Sequence, residues 1–289
     1  MDARLKWLET RLKAAQLLSQ NTPTDTTIKQ EQSAKRLRLG IDLGTSNIVS
    51  MLIDDNAMPV AVCITPADVV RDGVVWDYFG AVDIVRSQLA TLRAQVTELP
   101  NAAYTSYPPG TEARISVNVI EATGLKIAGV IDEPSAVAQL LTLDQAAVID
   151  IGGGTTGIAV VENGQVIYSG DEATGGHHVT LTLAGGKRLS LEAAESYKKT
   201  GNPDEIWGGV RPVYEKMIDI VQYHLREYSV KTLYLSGGSC MIEGVCQLFK
   251  QNFPKQTIVL PKNALFLTPL AITAHGLSWK IDHPQEGIS

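Results

Sequence analysis

Cysteine is scarce in this chain, and its spacing carries no metal or disulfide pattern. The 289 residues contain Cys63, Cys240 and Cys246, an odd number with no C-x-x-C pair. A disulfide framework uses an even set of cysteines, and a zinc site uses closely spaced pairs. The cysteines therefore argue against both and favour a reducing, cytosolic compartment.

Long apolar runs and an excess of positive charge are missing as well. No uninterrupted apolar segment approaches the roughly 18–20 residues of a membrane helix. Charges interrupt the apolar residues near the N-terminus, unlike in a secretory signal. The formal net charge of −6 gives no electrostatic reason to expect a nucleic acid. We predict a cytoplasmic protein with neither a membrane nor a nucleic-acid partner.

The first 36 residues differ from the rest of the chain. Apolar side chains recur there at steps of three and four, which predicts one apolar stripe on a short helix: Leu5, Leu8, Leu12, Ala15 and Leu18. Residues 19–35 are rich in Gln, Thr, Asn and Ser and are typical of a flexible linker. A helix this short needs a partner surface. Either it docks on its own globular domain, or it is a detachable peptide for another protein.

The pattern after residue 37 predicts an α/β fold. Strands are predicted at 37–42, 48–53, 59–65, 145–151, 158–161, 165–169 and 232–235, and residues 114–120 are β-rich. Helices are predicted at 78–96, at 134–143 and within 191–227. The Asn163-Gly164 pair between two of the strands is a strong signal for a tight hairpin turn.

One local theme occurs twice. A strand ends in an aspartate, Asp42 or Asp150, and a glycine-rich turn with threonine and a second hairpin strand follow. Such turns expose backbone N–H groups that an anion can approach closely. Two of them facing one cleft would hold a polyphosphate from both sides. Carboxylates repel phosphate, so the paired aspartates predict a magnesium ion held largely through water.

A dinucleotide site is excluded by its context. Residues 152–157 match G-x-G-x-x-G, but that motif requires a helix directly after the turn. A β-hairpin is predicted there instead. The chain also contains no G-x-x-x-x-G-K-[ST] phosphate loop.

Five motifs in order resemble the actin-like ATPases, which include DnaK-type chaperones and the filament proteins MreB, FtsA and PilM. They occupy residues 40–47, 132–138, 150–155, 192–198 and 235–239. The resemblance implies a compact two-lobed actin-like (ribonuclease H-like) α/β fold with reduced outer subdomains. The lobes would span 37–150 and 151–289, after the helix and linker of 1–36.

The resemblance also implies roles for individual residues. Asp42 and Asp150 would position hydrated magnesium, and Glu133 would orient the attacking water. The phosphates of ATP or ADP would lie against Gly44, Thr45, Ser46, Gly152, Gly153, Gly154 and Thr155. Glu195 and Lys198 would reach the nucleoside, and the adenosine motif comprises Gly237, Gly238 and Ser239. Two alternatives stay open: Glu133 as a carboxylate that only complements a helix dipole, and Glu195–Lys198 as a plain surface ion pair.

Other stretches resemble a narrower family, the chaperone-like proteins of bacterial ethanolamine utilisation: residues 67–73, 171–178 and 213–217. That resemblance implies an ethanolamine-pathway enzyme or a microcompartment shell protein as partner. In it, His177 and His178 would close the cleft, and we do not expect them to bind metal. Residues 1–20 are similar in kind to peptides that direct cargo into such compartments.

The chain also departs from the superfamily. It has little room between residues 47 and 71 for the inserted subdomain of DnaK-type chaperones, and we identify no match for the catalytic lysine of that subdomain. We therefore expect slow turnover at most. A nucleotide-dependent chaperone or assembly factor is the favoured function. A non-hydrolysing pseudo-ATPase scaffold and a filament-forming protein are the alternatives.

Overall fold

Two five-stranded sheets with the same strand order form the framework of the protein. The computed structural model describes residues 3–20, 36–71 and 74–277. The first sheet has the order β3-β2-β1-β6-β7 and the second β10-β9-β8-β11-β12. In the first sheet, β1, β2 and β3 form an antiparallel meander, and β6 and β7 run parallel to β1. In the second sheet, β8, β9 and β10 form the meander, and β11 and β12 run parallel to β8. The predicted duplication of the fold is therefore confirmed at the level of sheet topology.

The strands have the following bounds. The first lobe contains β1 (Arg38–Leu43), β2 (Asn47–Ile53), β3 (Pro59–Pro66), β6 (Ala102–Tyr107) and β7 (Lys126–Asp132), with a small hairpin of β4 (Val70–Arg71) and β5 (Val74–Val75). The second contains β8 (Ala146–Ile151), β9 (Thr156–Glu162), β10 (Gln165–Glu172), β11 (Thr232–Ser236) and β12 (Thr257–Val259).

Nine α-helices occur in the described ranges. They are α1 (Ala3–Gln20), α2 (Tyr78–Gln95), α3 (Arg114–Ala122), α4 (Glu133–Leu140), α5 (Gly176–Lys187), α6 (Leu191–Thr200), α7 (Pro203–Leu225), α8 (Val245–Asn252) and α9 (Leu267–Thr273). No helix within those ranges is long and apolar enough to cross a membrane.

Helices α4 and α9 pack against each other between the two sheets. Their buried side chains, among them Val137 and Leu270, share one hydrophobic cluster with Met51 of β2 and Val148 of β8. Helix α9 lies so close to β1 that a Cβ at Gly40 would overlap Thr273. Burial of this shared core, at about 25 cal/mol per Å² of apolar surface, holds the lobes together.

The N-terminal helix packs on the first lobe. Helix α1 buries Leu8, Leu12 and Ala15 in the same central cluster, against β3. Of the two interpretations left open by the sequence, the structure shows the docked one. The linker predicted at 19–35 lies almost wholly outside the described residues.

One predicted element is wrong and several went unrecognised. Residues 114–120, interpreted as β-rich, lie in helix α3. Its buried face consists of Ser116, Val119 and Ile120, at helical spacing. The helix packs against β6 and β7, and this packing overrides the strand propensity of its β-branched residues. Strands β4, β5, β6, β7 and β12 and helices α5 and α9 were not predicted. The Asn163-Gly164 turn is confirmed, with φ of 53° and 71°.

Both ends of the described globular region meet at the first sheet. Strand β8 begins at Ala146, so the second sheet starts before residue 150. After β12 the chain returns through α9 to pack on β1. The first lobe is therefore built from both ends of the globular region.

Candidate functional site

A cleft of about 700 Å³ lies between the lobes. It is lined by every residue that was predicted to contact the nucleotide, its cation or the attacking water: Asp42, Gly44, Thr45, Ser46, Glu133, Asp150, Gly152, Gly153, Gly154, Thr155, Glu195, Lys198, Gly237, Gly238 and Ser239. These residues come from five separate parts of the chain. The fold brings all of them together.

The two glycine-rich turns face each other across the cleft. A Cβ at Gly153 would overlap the hydroxyl of Ser46, and one at Gly154 would lie 2.7 Å from Thr45 Oγ1. The turn after β1 and the turn after β8 are thus in van der Waals contact, with room for backbone but not for larger side chains. This arrangement presents backbone N–H groups and hydroxyls from both sides to any anion in the cleft.

Three carboxylates lie at one end of the cleft. Asp42 and Asp150 occupy equivalent positions near the ends of β1 and β8, and Glu133 begins α4 directly after β7. Burial, followed by the charge of Asp150, raises the pKa of Asp42 to about 7. Burial also raises the pKa of Glu133 well above its usual value, with further contributions from the charges of Asp42, Asp150 and Asp171. When ionised, these groups repel one another.

Asp150 is the most deeply buried of these carboxylates, with 6% of its surface exposed. Burial raises its pKa to about 6, and a hydrogen bond from the Thr268 hydroxyl opposes that rise. The Thr268 Oγ1–Asp150 Oδ2 distance is 2.5 Å. Helix α9 therefore supplies a donor that holds the charged form of Asp150.

Asp171 is a fourth carboxylate beside the cleft, and it was not predicted from the sequence. It lies on β10, and the strand register aligns it with Gly157 of β9, which in turn aligns with Asp150 of β8. Burial raises its pKa to about 7. Its Oδ1 atom is buried and has no hydrogen-bond partner among the described residues. The strand was predicted to end at 169, so the register that reveals Asp171 was not available.

Helix α6 contributes another part of the cleft wall, and α5 packs against it. Lys198 and Glu195 form an ion pair with an N–O distance of 2.5 Å, and the Lys198 side chain is only 11% exposed. Lys198 also donates to the Thr180 hydroxyl (2.9 Å) and to the Gly176 carbonyl (3.2 Å). Burial lowers the pKa of Lys198. The pair is therefore a buried part of the cleft wall, and the surface-pair alternative is not what the structure shows.

The glycine turn after β11 is tied to the second phosphate loop. Ser239 donates its hydroxyl to the Gly152 carbonyl at 2.7 Å, and the Gly176 N–H donates to the same carbonyl at 2.9 Å. A Cβ at Gly175 would come within 2.9 Å of the Gly153 carbonyl oxygen. Two segments of the second lobe thus fix the position of this loop.

His177 and His178 lie in the first turn of α5 with exposed side chains. The His177 N–H donates to the Gly153 carbonyl at 2.7 Å, so this histidine adjoins the phosphate loop. Within residues 3–20, 36–71 and 74–277, no group of three or more His, Cys, Asp or Glu side chains could hold a metal ion directly.

The cleft fits a nucleotide with a hydrated divalent cation. Buried carboxylates with raised pKa values and the unpartnered Asp171 Oδ1 are groups that a nearby cation would stabilise. Carboxylate oxygens are the ligands that magnesium prefers, and magnesium keeps several of its waters. The glycine turns allow a phosphate to approach their backbone closely.

Two comparisons with known proteins concern the fold. Residues 120–273 match the family model of the type IV pilus assembly protein PilM. MreB5 of Spiroplasma citri, in a crystal structure bound to AMPPNP, superposes with a TM-score of 0.64 at 18% identity, over 82% of this chain and 94% of that one. The fold is that of the actin-like ATPases.

The family follows from closer relatives. The ethanolamine utilization protein EutJ of Escherichia coli (strain K12) is 55% identical over 271 residues, which are 94% of this chain and 95% of the relative. The crystal structure of EutJ from Carboxydothermus hydrogenoformans superposes with a TM-score of 0.79 at 36% identity, over 90% of this chain and 98% of that one. The chain belongs to the EutJ family of ethanolamine utilization proteins.

Proposed function

We propose that this protein is a nucleotide-dependent switch, which binds ATP or ADP with magnesium in the cleft and thereby changes its grip on a partner. The partner would be an ethanolamine-pathway enzyme or a shell protein of a bacterial microcompartment, in keeping with the EutJ family. One observation carries the proposal. The two glycine-rich turns touch across the cleft, with paired aspartates at equivalent positions behind them.

Each side chain has a role in this proposal. The backbone and hydroxyls of residues 44–46 and 152–155 bind the phosphates. Asp42 and Asp150 hold the waters of the magnesium ion, which when bound neutralises phosphate charge. Glu133, whose carboxylate accepts from Ser106 at 3.4 Å, is placed to orient an attacking water. Glu195 and Lys198 contact the nucleoside.

Slow turnover suits such a switch. Of the described residues, Lys198 and Lys199 are the cationic side chains that line the cleft. Lys198 is already engaged by Glu195 and by the Gly176 carbonyl. The sequence offers no match for the catalytic lysine of DnaK-type chaperones, so hydrolysis would rest on positioning by Glu133 and on the cation.

Single-turnover hydrolysis of magnesium-ATP tests the catalytic half of the proposal, with Glu133→Ala and Asp150→Asn measured beside the wild type. We expect the wild type to release phosphate slowly. Glu133→Ala should abolish release while nucleotide still binds, and Asp150→Asn should weaken binding itself. Binding without any hydrolysis would instead make the protein a nucleotide-held scaffold. Absence of binding would refute the proposal.

Partner capture tests the switching half. The protein would be immobilised in the presence of ATP, ADP or no nucleotide and exposed to purified ethanolamine-pathway enzymes and shell proteins. We expect capture of one of them to depend on the nucleotide. Equal capture in all three states would argue against a switch even if nucleotide binds.

A further inference from the structure

Helix α1 contacts both sides of the cleft. Its stripe of Leu8, Leu12 and Ala15 is at most 1% exposed and packs on β3 of the first lobe. The same helix also contacts the short 3-10 turn Ala264–Phe266, which joins the second lobe to α9. The helix therefore spans the junction between the lobes.

The 3-10 turn that α1 contacts belongs to the cleft wall. It packs against the Gly238–Met241 turn of the second lobe, and a Cβ at Gly238 would lie 3.1 Å from Leu265 Cδ1. Leu265 lines the cleft and also packs against the hydrophobic cluster that contains Leu8 and Leu12. On the second-lobe side, a single layer of side chains thus separates the cleft from the cluster that holds the helix.

The first lobe repeats this relationship. Val49 and Ile64 line the cleft, and both take part in the same cluster, Val49 as a buried member and Ile64 as a half-buried neighbour. A change in the separation of the two cleft walls would therefore alter the surface on which the helix rests. Close-packed interiors transmit such shifts because they contain few voids to absorb them.

Polar contacts tie the helix to the first lobe. The Arg11 guanidinium donates twice to the Asn56 carbonyl in the turn between β2 and β3, at 2.8 and 3.2 Å. It also stacks on the Trp7 ring at 3.8 Å. One end of the contact is thus anchored by hydrogen bonds. At the 264–266 turn, Leu265 and Phe266 share the hydrophobic cluster of the helix, and this contact depends on how the lobes are placed.

We propose that α1 is a strap across the two lobes and that its docking is coupled to nucleotide binding, each strengthening the other. This rests on the proposed nucleotide function. A ligand held by both glycine turns favours the arrangement of the lobes in which α1 reaches both of them. Thermodynamic linkage then requires that docked α1 raises nucleotide affinity by the same factor. Without nucleotide, the strap undocks more often and exposes its leucine stripe.

The test uses the full chain and two measurements. Hydrogen exchange at the amides of residues 8–15 is followed with and without saturating magnesium-ADP, and the Kd for ADP is measured by calorimetry for the wild type, Leu12→Ala and Leu17→Ala. Leu17 is on the same helix but 51% exposed, so it is the matched control. We expect ADP to slow exchange in α1 and Leu12→Ala to weaken ADP binding, each by about fivefold or more, with Leu17→Ala unchanged.

A second variant keeps the test decisive if Leu12→Ala fails to fold. Arg11→Gln removes the polar anchor without opening the core, and it should weaken ADP binding in the same direction. If the wild type binds ADP while exchange in α1 is unchanged and the variants bind like Leu17→Ala, the strap is refuted and the proposed function stands. If the wild type binds neither ADP nor ATP, both are refuted.

Discussion

Gly237 and Asp150 lie so close together that a Cβ at position 237 would come within 2.6 Å of Asp150 Oδ1. The same Cβ would overlap the Ile151 carbonyl oxygen. Gly237 has a φ of 88°, in the region that residues with a side chain rarely adopt. The glycine turn after β11 is therefore seated directly on the strand end that carries the buried aspartate, and only glycine fits there.

Replacing Gly237 tests this contact. Gly237→Ala should destabilise the protein by about 2 kcal/mol or more, because both the backbone conformation and the overlap are unfavourable, and it should weaken ADP binding. Gly185→Ala is the control, since nothing lies within 4 Å of a Cβ at that position of α5. We expect the control to be neutral or slightly stabilising. Urea denaturation and ADP titration report both effects, and similar behaviour of the two variants would contradict the contact.

The Thr268 hydroxyl should set the pH range in which nucleotide binds. Its hydrogen bond lowers the pKa of Asp150, so Thr268→Val should raise that pKa and leave more Asp150 protonated near pH 6–7. For a rise of about one pKa unit, we expect ADP affinity with magnesium to fall about threefold at pH 6.5 and to approach the wild-type value at pH 8.5.

Thr273→Val is the control for that experiment. Thr273 lies on the same helix, is equally buried and donates to the Pro269 carbonyl, not to Asp150. Its replacement should leave the pH profile of binding unchanged. An affinity deficit of Thr268→Val that is the same at pH 6.5 and 8.5 would indicate a packing defect rather than a shift in the Asp150 pKa.

The protein without nucleotide should gain stability from Asp42→Asn at high pH. Burial raises the pKa of Asp42 to about 7 from an ordinary value of 3.8. Between these two pH values the folded state binds a proton that the unfolded state has lost, so the Asp42 contribution to stability falls as pH rises. Above about pH 7 the charged side chain opposes folding in full. The asparagine variant avoids this effect.

The measurement is the Tm across pH 5 to 8 in the absence of nucleotide and magnesium. We expect Asp42→Asn to melt above the wild type at pH 8 by several degrees, at about 3 °C for each kcal/mol, and the difference to shrink towards pH 5. Asp83→Asn, at a position whose side chain is 78% exposed, should show no such trend. A difference that does not vary with pH would contradict the assigned titration.

The sequence predicted the cleft better than the fold around it, for a physical reason. Glycine turns, paired aspartates and the Asn163-Gly164 turn are local signals, because backbone conformation and charge at those positions depend on the residues themselves. Helix α3 was misread since Ile115, Val117 and Val119 alternate as in a strand. Only packing against β6 and β7 selects the helix, and that packing is not local.

Asp171 shows the same limit within the site. Its identity as an aspartate was visible, but its position beside Asp150 arises from the pairing of β8, β9 and β10. No spacing along the chain reveals that alignment. The sequence likewise predicted the apolar stripe of α1 without showing which surface buries it, since both interpretations require the same stripe.

Lys198 and Lys199 provide a comparison of neighbouring charges that share one carboxylate. Glu195 pairs with Lys198 at 2.5 Å and with Lys199 at 3.1 Å, but the Lys198 side chain is 11% exposed and that of Lys199 is 56% exposed. Exposed ion pairs contribute little to stability or binding. Lys198 also donates a hydrogen bond to the Gly176 carbonyl, and the Gly176 N–H donates to the Gly152 carbonyl in the phosphate loop.

We therefore expect Lys198→Met to weaken ATP binding about tenfold and Lys199→Met less than twofold, in calorimetric titrations at neutral pH. Both substitutions remove one positive charge, at neighbouring positions, so an effect of net charge alone would lower both affinities equally. Equal losses would therefore contradict the assignment of Lys198 to the nucleoside site.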